Sequence, residues 1–553
     1  MSVEANAMKS LRGADIVARS LERLGVTRIF TLSGNHIMPI FDALLETGIE
    51  IVHVRQEAAA VHMADAWGRL TGEVGVAMVT GGQGHSNAAA ALFTAQAAES
   101  PLLLLSGHAP LRELGRGAFQ EMAQADIARP MTKASWTSAS LDALGDDLAL
   151  AMKLAREGRP GPVHVSLPSD LLEEEAAIGD LRLPDPGAAR PAPAPADPHL
   201  VDSVALRLTQ AERPLILCGP AMCGERGRIA MEALEQASGV PVIGMESPRG
   251  VNDPGLGALG EVLGEADLIL LLGKPLDFTL KFGAAPTVAA DCGFVAVDPD
   301  PSLLLRAARE KGDRLLASGV ADPFAFIAAL TERLAASNDA SRWRETVAAA
   351  LSYAPPDWDD VRGSPGRLHP VELCREVSAF LSRHAGGTLI CDGGEIGQWP
   401  QALVPAKRRL VNGVSGTIGA SIPFAIAAKT LSPDAPVVAV LGDGTFGFHM
   451  AEFDTAVRYG LPFIAVVGND ARWNAEHQIQ LRNYGPERAR HCDLLPSRYD
   501  QVAVALGGFG ALATTPAELS EALEEAHRSG RPACINVMID GAPAPAIRRP
   551  KAA

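Results

Sequence analysis

The stretch GDGTFGFHMAEFDTAVRYGLPFIAVVGNDARWN, residues 442–474, sets two oxygen-bearing turns one helix and one strand apart. The first, Gly442-Asp443-Gly444-Thr445, follows the apolar run VVAVL; the second, Asn469-Asp470, follows PFIAVVG. Each run reads as a buried strand, and a glycine turn at its end leaves a carboxylate at the carboxyl edge of a parallel sheet, where ligands of open α/β sheets bind. The segment AEFDTAVRYG is helical in pattern, so it returns the chain to the same edge. Hard oxygen ligands from two such loops suit an octahedral Mg²⁺ that also holds phosphate oxygens. An isolated GDG is more often an ordinary strand-to-helix turn. The second turn, at this distance and after a strand, shifts the balance to a diphosphate-metal site.

A carboxylate of another kind opens the small-residue helix in VRQEAAAVHMADAWGRLTG, where Glu57 follows the strand-like IEIVHVR. Taken alone, an acid in a first helical turn is more often just a favourable charge for the helix dipole. A chemical role needs support from the rest of the chain.

That support comes from a resemblance. GDG followed by an Asn-rich turn resembles the signature of thiamin diphosphate (ThDP) enzymes, with Asn469-Asp470 standing where that family usually has Asn-Asn. Carried over residue by residue, it implies Asp443 and Asp470 as side-chain Mg²⁺ ligands, the Arg472 carbonyl as a third, and Gly442, Gly444 and Thr445 beside the diphosphate. Aspartate at 470 keeps an oxygen donor and adds a negative charge. The Glu57 stretch is similar to the family pattern RHE-AA-HMA-GYAR-TG, which implies that Glu57 serves the cofactor's aminopyrimidine from a mostly apolar pocket among Ala58 and Ala59, where desolvation favours a protonated carboxyl. GTIGASIPFAIAAK (416–429) resembles GTMGFG-PAAIGAK, so Ile418 would prop the cofactor in its bent form. The turn DGGEIGQW (392–399) would add backbone N–H groups, Gly397 among them, and Gln398 to the diphosphate.

GAFQEMAQADIARPMTKASW and RPACINVMID extend the likeness over nearly the whole chain, to the group of acetohydroxyacid synthase, benzaldehyde lyase, 2-hydroxyacyl-CoA lyase and oxalyl-CoA decarboxylase. SGNHIMPIFDALLE resembles the GAHI segment of benzaldehyde lyase, which implies that His36 faces the reacting carbon with Asn35 beside it; by itself, a loop histidine is as readily just exposed. Gln120 in AFQE matches a pocket-lining glutamine of the group, and Trp473 and Ala475 would border cofactor and substrate. LLLGKPLDFTLKFG is closer to the acyl-CoA lyase type than to the synthase type, which argues against FAD; Asp298 in AVDPD leaves ADP or CoA open as a ligand. The implied activity is a ThDP- and Mg²⁺-dependent lyase or carboligase on a 2-hydroxy carbonyl compound, a 2-hydroxyacyl-CoA or a 2-oxo acid. Acetolactate synthase or a 2-oxo acid or oxalyl-CoA decarboxylase is the alternative within the class, and a noncatalytic nucleotide-binding relative the alternative outside it. The resemblance also implies a homodimer or homotetramer with active sites between subunits.

The elements that would position these residues recur in three blocks of alternating helix and strand signals, as expected for parallel sheets covered on both faces. The expectation is three doubly wound α/β domains: a pyrimidine-binding (PYR) domain over 1–183, a central domain over 184–340 and a diphosphate-binding (PP) domain over 341–553. LRLPDPGAARPAPAPADP (181–198) reads as an interdomain linker. A chain of 553 residues with 47% hydrophobic content has material for several cores. Its net charge of -16 argues against nucleic-acid or anionic-membrane partners and leaves a small-molecule substrate. No stretch approaches the roughly 20 apolar residues of a spanning helix, and residues 1–30 lack a signal-peptide core. The seven cysteines are scattered without paired CxxC spacing and read as buried cytosolic thiols, so a cytoplasmic protein is expected.

Overall fold

The computed structural model describes residues 10–177, 182–334 and 341–549, arranged as two compact units, Met1–Ala192 and Pro193–Ala553. The expected boundary after residue 340 adjoins 335–340, which lie outside the described residues, as does residue 181 at the start of the expected linker.

In the first unit a parallel sheet runs, edge to edge, Glu50–His53, Arg28–Thr31, Gly75–Val79, Leu102–His108, Pro162–Pro168 and Ala134–Thr137. Its strands therefore lie in chain order 2-1-3-4-6-5. Alternation along Leu102–His108 sends Leu103 and Leu105 into one core, against Ile16, Val17 and Leu21 of the helix Gly13–Arg23 and Leu148 and Met152 of Leu144–Arg156. The helices Glu57–Thr71 and Gln83–Ala97 pack on each other. Gln56 caps the first of these by accepting from Ala58 N at 2.7 Å and Ala59 N at 3.3 Å, which sets Glu57 at the first helical position. The chain beyond residue 183 stays on this unit. Arg23 Nε donates to Pro184 O at 2.7 Å, Arg156 Nη1 donates to Ala189 O at 3.2 Å, and Ala189 is buried in the core. After the short turn Pro186–Ala189, the proline-rich residues 190–197 run on without regular structure to the helix Pro198–Gln210, which Asp197 caps.

The second unit holds two parallel sheets. The smaller runs Val242–Gly244, Pro214–Cys218, Leu268–Leu272, Gly293–Val297, Leu315–Gly319. The larger runs Arg408–Val411, Thr388–Cys391, Val437–Gly442, Ile464–Asn469, Ala533–Met538, Phe509–Ala513, which is again the order 2-1-3-4-6-5. The three sheets confirm the doubly wound α/β class. In each, the first and third strands are neighbours whose following connections diverge, and a crevice opens at their carboxyl ends.

Candidate active site

The crevice of the carboxy-terminal sheet is lined by four turns from the sequence reading. Gly442 and Gly468 are aligned partners on adjacent strands, so the turns after them leave the sheet side by side. Asp443 is buried, with Oδ1 accepting from Gly444 N at 2.9 Å and Oδ2 from Arg472 N at 3.1 Å. Thr445 Oγ1 accepts from Gly442 N at 3.1 Å and donates to Gly442 O at 2.9 Å, closing the first turn of the helix Asp443–His449. Asn469 is fully buried and faces inward. Its Nδ2 donates to Ser497 O and to Asn536 Oδ1, each at 3.1 Å, while its Oδ1 accepts from Ala471 N at 3.1 Å and helps hold Ala471 at a φ of 55°.

Asn469 therefore shapes the turn and leaves Asp470 at the crevice. Burial pushes the Asp443 carboxyl up to about 6; burial and then the Asp443 charge push Asp470 up to about 7. Two acids that hold protons this tightly against each other fit a site for a divalent cation. Among the described residues no group of three or more His, Cys, Asp and Glu converges as a metal site.

The turn after the first strand, Thr388–Cys391, brings in a residue the sequence reading missed. Asp392 is buried, and its Oδ1 accepts from Gly393 N at 2.7 Å and Gly419 N at 2.9 Å, while Oδ2 accepts from Ser421 N at 3.3 Å and from the Ser421 hydroxyl. Burial raises its proton affinity and these four donors oppose that shift. The carboxylate thereby pins the loop carrying Ile418 against the turn 392–398. Ile418 is half-buried, and its Cγ2 lies 2.6 Å from where a Cβ on Gly393 would stand, so only glycine fits there. A Cβ on Gly397 would stand 2.0 Å from Asp392 O, so glycine is required there too. Gln398 is buried, and one N–H of its Nε2 donates to Gly394 O at 3.1 Å, closing its own turn.

Trp473 covers the acidic turn. A Cβ on Gly444 would stand 2.7 Å from its ring, and Phe448 meets the ring edge-on at 6.4 Å and 84°. Ala475 is half-buried in the first turn of the helix Asn474–Tyr484, which Asn474 ties down by donating to Ala542 O at 2.8 Å.

The crevice of the first unit gathers Glu57, His36 and Gln120 around the turn Thr80–Gly84. His36 is buried, with Nδ1 3.2 Å from Thr80 Oγ1 and its ring stacked on Phe119 at 5.9 Å and 23°. The alternative of an exposed loop histidine is thus excluded, because the strand Arg28–Thr31 delivers it under the loop that follows Leu102–His108. Burial, and then the nearby His108, hold His36 below the ordinary histidine range, so it is neutral at pH 7. Asn35 is exposed at the start of the short turn Asn35–Ile37. Gln120, at a φ of 56°, lies against Gly82, where a Cβ would come within 2.6 Å of its own Cβ.

Glu57 is half-buried, and Asn87 Nδ2 donates to its Oε2 at 3.1 Å. The expected mostly apolar surround is therefore corrected, since a polar amide from the neighbouring helix occupies one side of the carboxyl. Thr80 and Asn87 lie in TGGQGHSN, whose glycine-rich turn after an apolar strand was the available signal.

Two crevices of the same topology, one edged by a glutamate and the other by a Gly-Asp-Gly turn, define a thiamin diphosphate enzyme. Residues 11–127 match the thiamine pyrophosphate enzyme N-terminal TPP binding domain, and 392–537 match its C-terminal TPP binding domain. The chain is 32% identical to an acetolactate synthase large subunit of Mycobacterium tuberculosis, with 98% of each covered. It is 31% identical to 2-hydroxyacyl-CoA lyase 2 of Homo sapiens, with 95% of this chain and 90% of that one covered. It is 27% identical to a 2-hydroxyacyl-CoA lyase of Arabidopsis thaliana, with 96% of each covered. The chain belongs to the thiamin pyrophosphate enzyme family, in the group that includes these synthases and lyases. No helix among the described residues is long and apolar enough to cross a membrane.

Proposed function

We propose that the chain is a ThDP- and Mg²⁺-dependent C–C lyase or carboligase acting on 2-hydroxy carbonyl compounds or 2-hydroxyacyl-CoA. The observation that carries this reading is the convergence of Glu57, a neutral buried His36 and Gln120 on one turn, Thr80–Gly84. When bound, the cofactor supplies an electron sink for breaking or making a C–C bond beside a carbonyl. Asp443, Asp470 and the Arg472 carbonyl hold the cation; Gly442, Gly444, Thr445 and Gly397 border the diphosphate. Ile418 shapes the cofactor, and Trp473 and Ala475 wall the site. Glu57 holds a proton at N1' of the aminopyrimidine. His36, kept neutral and oriented by Thr80, can donate or accept a proton at the substrate oxygen, and Gln120 orients that oxygen.

By the same reading the chain comprises PYR, central and PP domains over 1–183, 184–340 and 341–553. It works in the cytoplasm, in keeping with seven cysteines of which none is in a disulfide, as a homodimer or homotetramer. FAD is not required. Asp298 Oδ1 accepts from Asp300 N at 2.9 Å, shaping a turn at a strand end where the ribose of ADP or CoA is the ligand to test. The likeness to acetolactate synthase over nearly the full length favours acetolactate formation as a second reading.

The decisive experiment is Glu57→Gln. The variant should bind ThDP and Mg²⁺ nearly normally, yet lose several orders of magnitude in turnover and in deuterium exchange at the thiazolium C2, read by NMR after acid quench. Parental exchange would overturn the assignment. A panel of pyruvate, benzoin, oxalyl-CoA and 2-hydroxyacyl-CoA, with products identified by mass, separates the two substrate readings. A fully active monomer in sedimentation would reject the shared-site assembly.

A further inference from the structure

The helix Gln83–Ala97 carries Asn87 one turn in from its start, facing Glu57. Asn87 Nδ2 donates to Glu57 Oε2 at 3.1 Å, and Gln83 Nε2 donates to Asn87 Oδ1 at 3.0 Å. The second bond decides which end of the amide meets the carboxyl: an oxygen already accepting from Gln83 leaves the NH₂ group for Glu57. The two oxygens of Glu57 are thereby made different. Oε2 is engaged, whereas Oε1 lies beside Gly84, where a Cβ would stand 3.5 Å from it and 2.7 Å from the Thr80 methyl.

We propose that Asn87 is a positioning residue for Glu57, holding its carboxyl in one orientation through Oε2 so that Oε1 alone meets the ring nitrogen of the cofactor. The inference rests on the proposed role of Glu57 and adds to it a device for placing the shared proton. An oxygen that accepts from Asn87 cannot present a hydroxyl to it, and a donor at a carboxylate favours its charged form. The proton between Glu57 and N1' then resides on the ring nitrogen, with Glu57 as its acceptor. A merely structural asparagine would support the helix packing without touching that proton.

Two variants separate these roles. Asn87→Asp keeps the shape and the bond from Gln83 but replaces the donor with a negative charge; Asn87→Ala removes the group. In the holoenzyme both should bind ThDP within about tenfold of the parent, while C2 exchange slows by about tenfold in Asn87→Ala and more in Asn87→Asp. The limb of the exchange profile on which the shared proton is lost should move to higher pH in both. In the apoprotein with ¹⁵N-labelled asparagine, Glu57→Ala should shift the Asn87 side-chain amide resonance, a readout that needs no cofactor. Parental exchange rates and pH limbs in both variants, or an Asn87 resonance indifferent to Glu57→Ala, would overturn the proposal. If Asn87→Ala does not fold, the isosteric Asn87→Asp decides. Parental exchange in Glu57→Gln would instead sink the role of Glu57 itself, so the two failures are distinguishable.

Discussion

Arg472 N donates to Asp443 Oδ2 at 3.1 Å, which ties the turn after the fourth strand of the carboxy-terminal sheet to the turn after the third. The bond keeps Asp443 and Asp470 near each other although their charges repel, and the repulsion is part of what raises Asp470 to about 7. Both acids hold protons more tightly than the 3.8 of an ordinary aspartate. In the metal-free protein their contribution to stability is therefore complete below about 3.8 and is lost as pH rises through about 6 and about 7. A cation that neutralises them has most to restore at high pH. Mg²⁺ should raise the unfolding temperature more at pH 8 than at pH 5, and Asp443→Ala should abolish both that shift and ThDP retention by calorimetry. An equal Mg²⁺ effect at the two pH values would count against a site at this pair.

Asp392 offers a test of the loop behind Ile418. In Asp392→Asn one acceptor oxygen becomes a donor facing N–H or O–H groups, at a cost of about 1–3 kcal/mol. ThDP affinity, followed by tryptophan fluorescence, should fall by roughly 10- to 100-fold, because each 1.4 kcal/mol is tenfold. Unchanged affinity would mean that the loop holds its shape without the carboxylate.

His36→Ala should reduce turnover by roughly 10²- to 10⁴-fold while ThDP affinity holds. Thr80→Val keeps the side chain's shape and removes the oxygen near His36 Nδ1; it should lower turnover by about tenfold through misorientation of the ring. Steady-state kinetics on the true substrate check both, and an unchanged rate in His36→Ala would leave the histidine a packing residue.

Arg409 joins the two sheets of the second unit. Its Nη2 donates to Glu246 Oε1 at 3.1 Å, with the side chains 25% and 12% exposed, and buried Asp253 lies within the same field. Arg409→Met would strand these acids. The expected loss is about 2–4 kcal/mol, discounted from the larger cost at a fully buried pair, and should appear as a lowered urea midpoint. Glu246→Gln in the same background should recover part of it.

The strand-turn-helix pattern was legible in the sequence because continuous apolar runs ending in glycine turns are local patterns, and so were Asp443, Asp470 and Glu57 as residues at strand ends. Direction was not legible. Asn469 and Asp470 are adjacent and both polar, yet one turns inward because Asn536, on a strand far along the chain, and the Ser497 carbonyl wait there for its amide. That one N–H of the Gln398 amide closes back onto Gly394 O was not legible either. Asp392 and Asn87 lie at or just after glycine-rich turns that the sequence does mark, but their roles exist only once Ser421 and Glu57 have been brought within hydrogen-bond reach. Local sequence decides which backbone turn forms and which polar group it offers. Which way a buried polar side chain points is decided by the distant donors and acceptors that must satisfy it, and only the tertiary structure assembles those.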